Sequence, residues 1–223
     1  MKKIIISIIT VFLACGLTYA QTAKETIKER KLAYRQARTE LKARASKEAK
    51  KECKKLTKEG WEVAPGHLSL VKMIDKSYLM YYEYDEGGVP KYIMADASSV
   101  GATYDAAKMQ ALSIAKLNLA GLICTDIVSL VETSMGNMQI SNEDAASINQ
   151  AVQVSKNLIS QKLSGVVSVV ECFRVKSKDA IEARVTIAYN QRLAMEVAKA
   201  TIKEQLKEKS EELHKQLEQA LAL

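Results

Sequence analysis

Proline and glycine are scarce: 2 and 9 in 223 residues. A chain of many short strands needs more turn punctuation than that, so long helices are favoured. Aromatic residues make up only 5%, with a single Trp and two Phe. Four cysteines in a chain of this length exclude a disulfide scaffold, and the absence of a Gly repeat excludes a collagen-like one. There are two histidines, His67 and His214, in separate segments, with no Cys or His near either at ligand spacing. A zinc site needs four protein ligands, or three and a water, so no metal or cofactor is expected, and each histidine reads as exposed or capping. GxSxG, HExxH and a phosphate-cradling glycine loop are all missing. Cys124 has no partner for nucleophilic catalysis in its local sequence, and Asp85-Glu86 is an ordinary surface pair. The chain reads as no enzyme, and no catalytic residues are assigned.

What is present is a normal globular composition, 48% hydrophobic and 26% charged, with a net charge of +7. That apolar fraction excludes wholesale disorder. Residues 1–20 read as a signal peptide. Lys2 and Lys3 are followed by a small or apolar run from Ile4 to Leu17, and Thr18-Tyr19-Ala20 is a cleavage signal that starts the mature chain at Gln21. The run is short for a membrane span. Leu13-Ala14-Cys15 offers the alternative of lipoprotein-type processing, with Cys15 acylated. The expected location is therefore the periplasm, the outer membrane or the cell surface. Three cysteines remain after cleavage, Cys53, Cys124 and Cys172, an odd number. They read as small buried residues, with a Cys124–Cys172 bridge as an alternative.

Residues 21–60 stand apart. They carry fourteen Lys or Arg against six Glu, a net +8, whereas 61–223 sums to −3. Ile27, Tyr34 and Leu41 recur every seven residues, and Ala45, Ala49, Cys53 and Leu56 continue the stripe. This predicts one long basic helix, ended by Gly60 as a C′ residue. Its Ala-lined stripe predicts an appendage and not a core element. An exposed face of this charge suits anionic lipid or cell-wall polymer, and the heptad spacing suits a partner helix or coiled coil. Export argues against nucleic acid.

Farther along, Leu68 to about Tyr82 reads as a helix, Gly87-Gly88 with Pro90 as a turn, and Tyr92 to Ala97 as a strand. Across 104–135, Ala107, Ala111, Ala115, Leu119 and Ile123 repeat every four residues, and Ala111 and Ala115 are expected to be nearly fully buried. Ser141 caps a following helix that runs to about Leu163. Val166–Val175 and Ile181–Tyr189 read as a hairpin. In the second strand Ile181, Ala183, Val185, Ile187 and Tyr189 alternate with Glu182, Arg184 and Thr186, one buried face and one wet. Gln191–Leu223 reads as an amphipathic helix with Ile202, Leu206, Leu213 and Leu217 on its stripe. The terminal helices are candidates to dock with each other or with another copy. The expected fold is α+β: a small, mostly antiparallel sheet packed on helices, with long charged N- and C-terminal helices. The division is 1–20, 21–60, an α+β module over 61–190, and 191–223.

The strand 92–97, the helix with Ala107, Ala111, Ala115, Leu119-Ala120 and Ile123, the end of the next helix at Leu163-Ser164-Gly165 and the hairpin Val166–Tyr189 together resemble the LPP-type, or twenty-kilodalton, lipoprotein family. They are similar also to the N-terminal domain of a flagellar assembly protein. The resemblance covers about 90–190 and implies an exported protein of a Gram-negative envelope without a defined enzymatic role. It also implies acylation at Cys15.

One cluster suggests a ligand surface. Tyr78, Tyr81, Tyr82, Tyr84 and Tyr92 fall within fifteen residues, with Glu83, Asp85 and Glu86 among them. They read either as an aromatic platform for sugar or peptide, or as a helix–turn–strand corner whose rings fill the edge of a small core. Adjacent Tyr81 and Tyr82 cannot both face one side, which favours the corner.

Overall fold

The computed structural model describes residues 31, 32, 39, 43–137, 140–206 and 211–221. The chain divides into two compact units, Met1–Arg44 and Ala45–Leu223. In the first, residues 31, 32 and 39 are helical. The signal segment, Cys15 and the Ile27, Tyr34, Leu41 stripe lie outside the described residues.

The second unit contains α1 (Lys47–Lys58), α2 (Leu70–Tyr81), β1 (Tyr92–Gly101), α3 (Tyr104–Gly136), α4 (Asn142–Lys162), β2 (Val167–Ser177), β3 (Ala180–Asn190), α5 (Gln191–Leu206) and α6 (Glu211–Ala220). It is an α+β fold. The sheet is antiparallel in the order β1-β3-β2, with β3 in the centre. β1 pairs with β3 from Tyr92↔Asn190 to Gly101↔Ile181. β2 and β3 form the expected hairpin, with a bulge between Ser168 and Val170.

The period-two pattern of β3 gives the sheet two faces. On one, Ala95, Ala97, Val185, Ile187 and Tyr189 meet α3. Ala107, Ala111, Ala115, Leu119 and Ile123 of that helix have no exposed surface. Four-residue spacing of small side chains lets α3 lie close to the strands. Thr103 starts it, its hydroxyl accepting the Ala106 N–H, and Ser141 caps α4 as expected, accepting from Asp144 N–H. Ile148, Ile159, Ile202, Leu206 and Leu217 from α4, α5 and α6 complete this core. The C-terminal stripe is thus buried within the chain. Two helices are described where one was expected, and α6 packs on α3 and α4.

On the other face, Val170 and Cys172 are covered by Ala45, Ala49, Leu56, Trp61, Met73 and Ile74, contributed by α1, α2 and their flanks. The bulge lets Val169 join Met80 and Ala188 on the same side. Two expectations are corrected here. The segment 21–60 is not one uninterrupted helix, because Ala43 is a bend and residues 44–46 are not helical. Nor are residues 45–60 an appendage: Ala49 and Leu56 are buried in the second core. A non-local contact sets the break. Ser46 accepts the Ala49 N–H as N-cap of α1 while its own N–H and hydroxyl donate to Asp75 Oδ1 of α2, at 2.9 and 2.7 Å. These bonds hold the Asp75 carboxyl below its usual pKa. Gly60, at φ 84°, does end the helix as C′.

The three cysteines described are free. Cys124 and Cys172 are small buried residues, but in different cores on opposite faces of the sheet, so no bridge joins them. Cys53 is only half-buried.

Candidate functional site

α2 covers the β2 side of the second face and leaves part of β1 and β3 open. A groove of about 370 Å³ results, with Ser77, Tyr78, Tyr81 and Tyr82 along the helix side and Met94, Asp96, Arg184 and Thr186 on the sheet side. Asp96 pairs directly with Thr186, and Arg184 pairs with Ser98 one step along. Asp96, Arg184 and Thr186 therefore emerge on the same face, the one opposite α3.

Three of the five clustered tyrosines converge here. α2 ends at Tyr81, and Tyr82 is its C-cap at φ −98°, ψ 14°. That change of backbone path lets both rings line the groove, which corrects the expectation that neighbours could not share a side. The rings are 61% and 68% exposed. Their hydroxyls make no hydrogen bond among the described residues. Tyr78 is tied down instead: its hydroxyl donates to Glu52 of α1, and this bond, with burial, pushes its pKa up to about 12. Tyr84 and Tyr92 do not join the groove lining. Tyr84 forms a bridge with Pro90 in the turn. Tyr92 is half-buried beside the Met80, Val169 and Ala188 cluster, with Lys91 Nζ 5.6 Å from its ring centre.

Arg184 and Asp96 are the charged groups of the groove. Their closest approach is 3.6 Å, between Nη2 and Oδ2, with side chains 36% and 61% exposed. That is an ion pair and too long for a hydrogen bond. The guanidinium, which carries five N–H donors, makes no hydrogen bond among the described residues.

A second polar cluster lies on the α3 face. Glu171 of β2 is only 6% exposed. Lys108 Nζ sits 2.7 Å from its Oε1, the Tyr104 hydroxyl donates to the same oxygen, and His67 Nε2 is 3.9 Å away. Burial alone would raise the Glu171 pKa. The hydrogen bonds from Lys108 and Tyr104 outweigh it and hold the carboxyl below its ordinary value. The same burial and hydrogen bond push the Tyr104 hydroxyl up. Lys108 and Tyr104 thus spend their donors on one carboxylate, a clasp joining the first turns of α3 to the edge strand. In the sequence Glu171 only interrupts an apolar run, since its partners lie more than sixty residues earlier.

On α1, Lys51, Lys54, Lys55 and Lys58 line a shallow depression with Glu59. His214 of α6 is half-buried, and its Nε2 has no partner among the described residues. Among the described residues no group of three His, Cys, Asp or Glu is placed to hold a metal ion. Compared with known proteins, the chain matches no family model, no curated protein and no solved structure.

Proposed function

We propose that this is an exported, non-enzymatic cell-envelope protein that works by interaction, with the groove between α2 and the sheet as its ligand surface. The observation that carries the reading is the pairing of two exposed tyrosine rings with an Arg184 guanidinium that has spare donors, in one concavity. Aromatic faces with a few convergent polar groups are what a small-ligand site needs. The Ser77 hydroxyl donates to the Ile74 carbonyl, at 2.7 Å, which leaves Arg184, Asp96 and Thr186 as the groove's polar contacts for a ligand. Export rests on Lys2-Lys3, the Ile4–Leu17 run and Thr18-Tyr19-Ala20. The resemblance of 90–190 to LPP-type lipoproteins fits the same compartment. A photoreactive aromatic at position 82, irradiated in intact envelopes, tests the reading. It should crosslink to envelope material, and an intact mass should place the start at Gln21. A chain retained in the cytoplasm, or no crosslink from position 82, contradicts it.

A second contact is favoured by charge. Lys51, Lys54, Lys55 and Lys58 belong to the +8 segment 21–60 and suit anionic lipid or cell-wall polymer. Binding of this kind weakens with salt, because exposed charges are screened beyond about 8–10 Å at physiological ionic strength.

A further inference from the structure

We infer that the groove takes an acidic saccharide, a sugar ring bearing a carboxylate. The inference rests on the groove being the ligand surface and adds the chemical class. The rings of Tyr81 and Tyr82, set edge to face along the groove, offer apolar area for the C–H face of a pyranose ring. Asp96 is an acceptor for sugar hydroxyls, and Thr186 supplies both a donor and an acceptor. Arg184 decides the charge. Its planar fork matches a carboxylate, and its donors are unspent.

Other ligand classes use the groove less completely. A neutral sugar leaves the guanidinium idle. A fatty acid satisfies Arg184 but leaves Asp96 and Thr186 against hydrocarbon. A phosphate carries nearly twice the charge of a carboxylate, and Asp96, 3.6 Å from Arg184, repels it more strongly. One carboxylate on a hydroxylated ring satisfies Arg184, Asp96 and the two rings together.

The test is calorimetric titration of the exported chain with three probes: an oligomer of glucuronic acid, the same oligomer with its carboxyls reduced to alcohols, and a free α-amino acid. The acidic oligomer should bind at least tenfold more tightly than the reduced one. Arg184→Gln should remove that preference and leave the weaker, neutral binding in place. Arg184→Lys, which keeps the charge but not the fork, should restore only part of it. Tyr82→Ala should weaken both oligomers. Equal affinity for the acidic and reduced oligomers, or a preference that survives Arg184→Gln, overturns the acidic assignment while the groove itself stands. Tighter binding of the amino acid, with its ammonium on Asp96, overturns it in favour of a zwitterion. If no probe binds and the position-82 crosslink also fails, the groove reading falls with it.

Discussion

The rings of Tyr81 and Tyr82 meet edge to face, with centroids 5.0 Å apart and planes at 87°, although the residues are neighbours in the chain. The end of α2 between them makes this possible. Such a pair contributes about 0.5–1.5 kcal/mol when packed, and exposed substitutions usually change stability by about 0.5 kcal/mol or less. Tyr81→Ala and Tyr82→Ala should therefore lower the unfolding free energy by no more than about 1 kcal/mol, while each weakens ligand binding several-fold. Thermal melts and titrations on the same samples separate the two effects. A large loss of stability in either variant would mark the rings as core.

The close approach of α3 to the sheet gives a second prediction. Ala115 has no exposed surface, so Ala115→Leu should overpack the contact and cost about 1–3 kcal/mol. Gly101 is constrained in the same way. A Cβ there would stand 2.7 Å from the backbone nitrogen of Ala107. Gly101→Ala should force the end of β1 away from the first turn of α3, at a similar cost of about 1–3 kcal/mol. Urea unfolding midpoints report both; unchanged midpoints would contradict the packing.

Glu171 gives the pH prediction. Its folded pKa lies below the ordinary value of 4.5. A depressed carboxyl contributes stability that is complete above the unfolded pKa and is lost as pH falls through the folded one. The wild type should therefore lose stability as pH drops below about 5. Asp75 and Glu182 are shifted the same way, so the reading is the difference between wild type and Glu171→Gln. The variant should be less stable at pH 7 by about 1–3 kcal/mol, because Lys108 and Tyr104 lose an ionised acceptor. The gap should close as pH falls toward 3. A gap independent of pH would mean that Glu171 is not held as the carboxylate.

Truncation tests the unit boundary. A chain beginning at Ala45 keeps Ala45, Ala49, Leu56 and Trp61 in the second core, and it should melt cooperatively. A chain beginning at Trp61 loses α1 and uncovers Met73, Ile74 and Cys172. Removing a buried leucine side chain alone costs about 2–5 kcal/mol, so this chain should be molten or insoluble. Equal stability of the two truncations would return α1 to the role of an appendage.

Much of the fold was legible where its signal is local. The four-residue alanine repeat of α3, the buried face of β3 and Ser141 as a cap each depend on near neighbours, and the structure places them as the pattern predicts; the face of β3 read as wet is half-buried instead, because α1 and α2 build a second core on that side of the sheet. The break at 43–46 was not legible, because no Gly or Pro marks it. Ser46 caps α1 there, but Asp75, which fixes it, lies 29 residues away. The same reason hid the role of Glu171. The candidate site was half legible. The tyrosine cluster drew notice as composition, but its division into three groove residues and two others depends on where α2 stops. Arg184 and Thr186 read only as a wet strand face and Asp96 only as part of a strand, since strand alternation does not say which part of a face α2 leaves open.

The groove between α2 and the sheet is the proposed place where this protein meets its ligand. Amide chemical-shift mapping of the chain beginning at Gln21, titrated with solubilised cell-wall fragments, is the measurement that bears on it. Perturbations should gather on Ser77, Tyr81, Tyr82, Asp96, Arg184 and Thr186 and be lost in Tyr82→Ala. Perturbations confined to Lys51, Lys54, Lys55 and Lys58, with the groove silent, would contradict it.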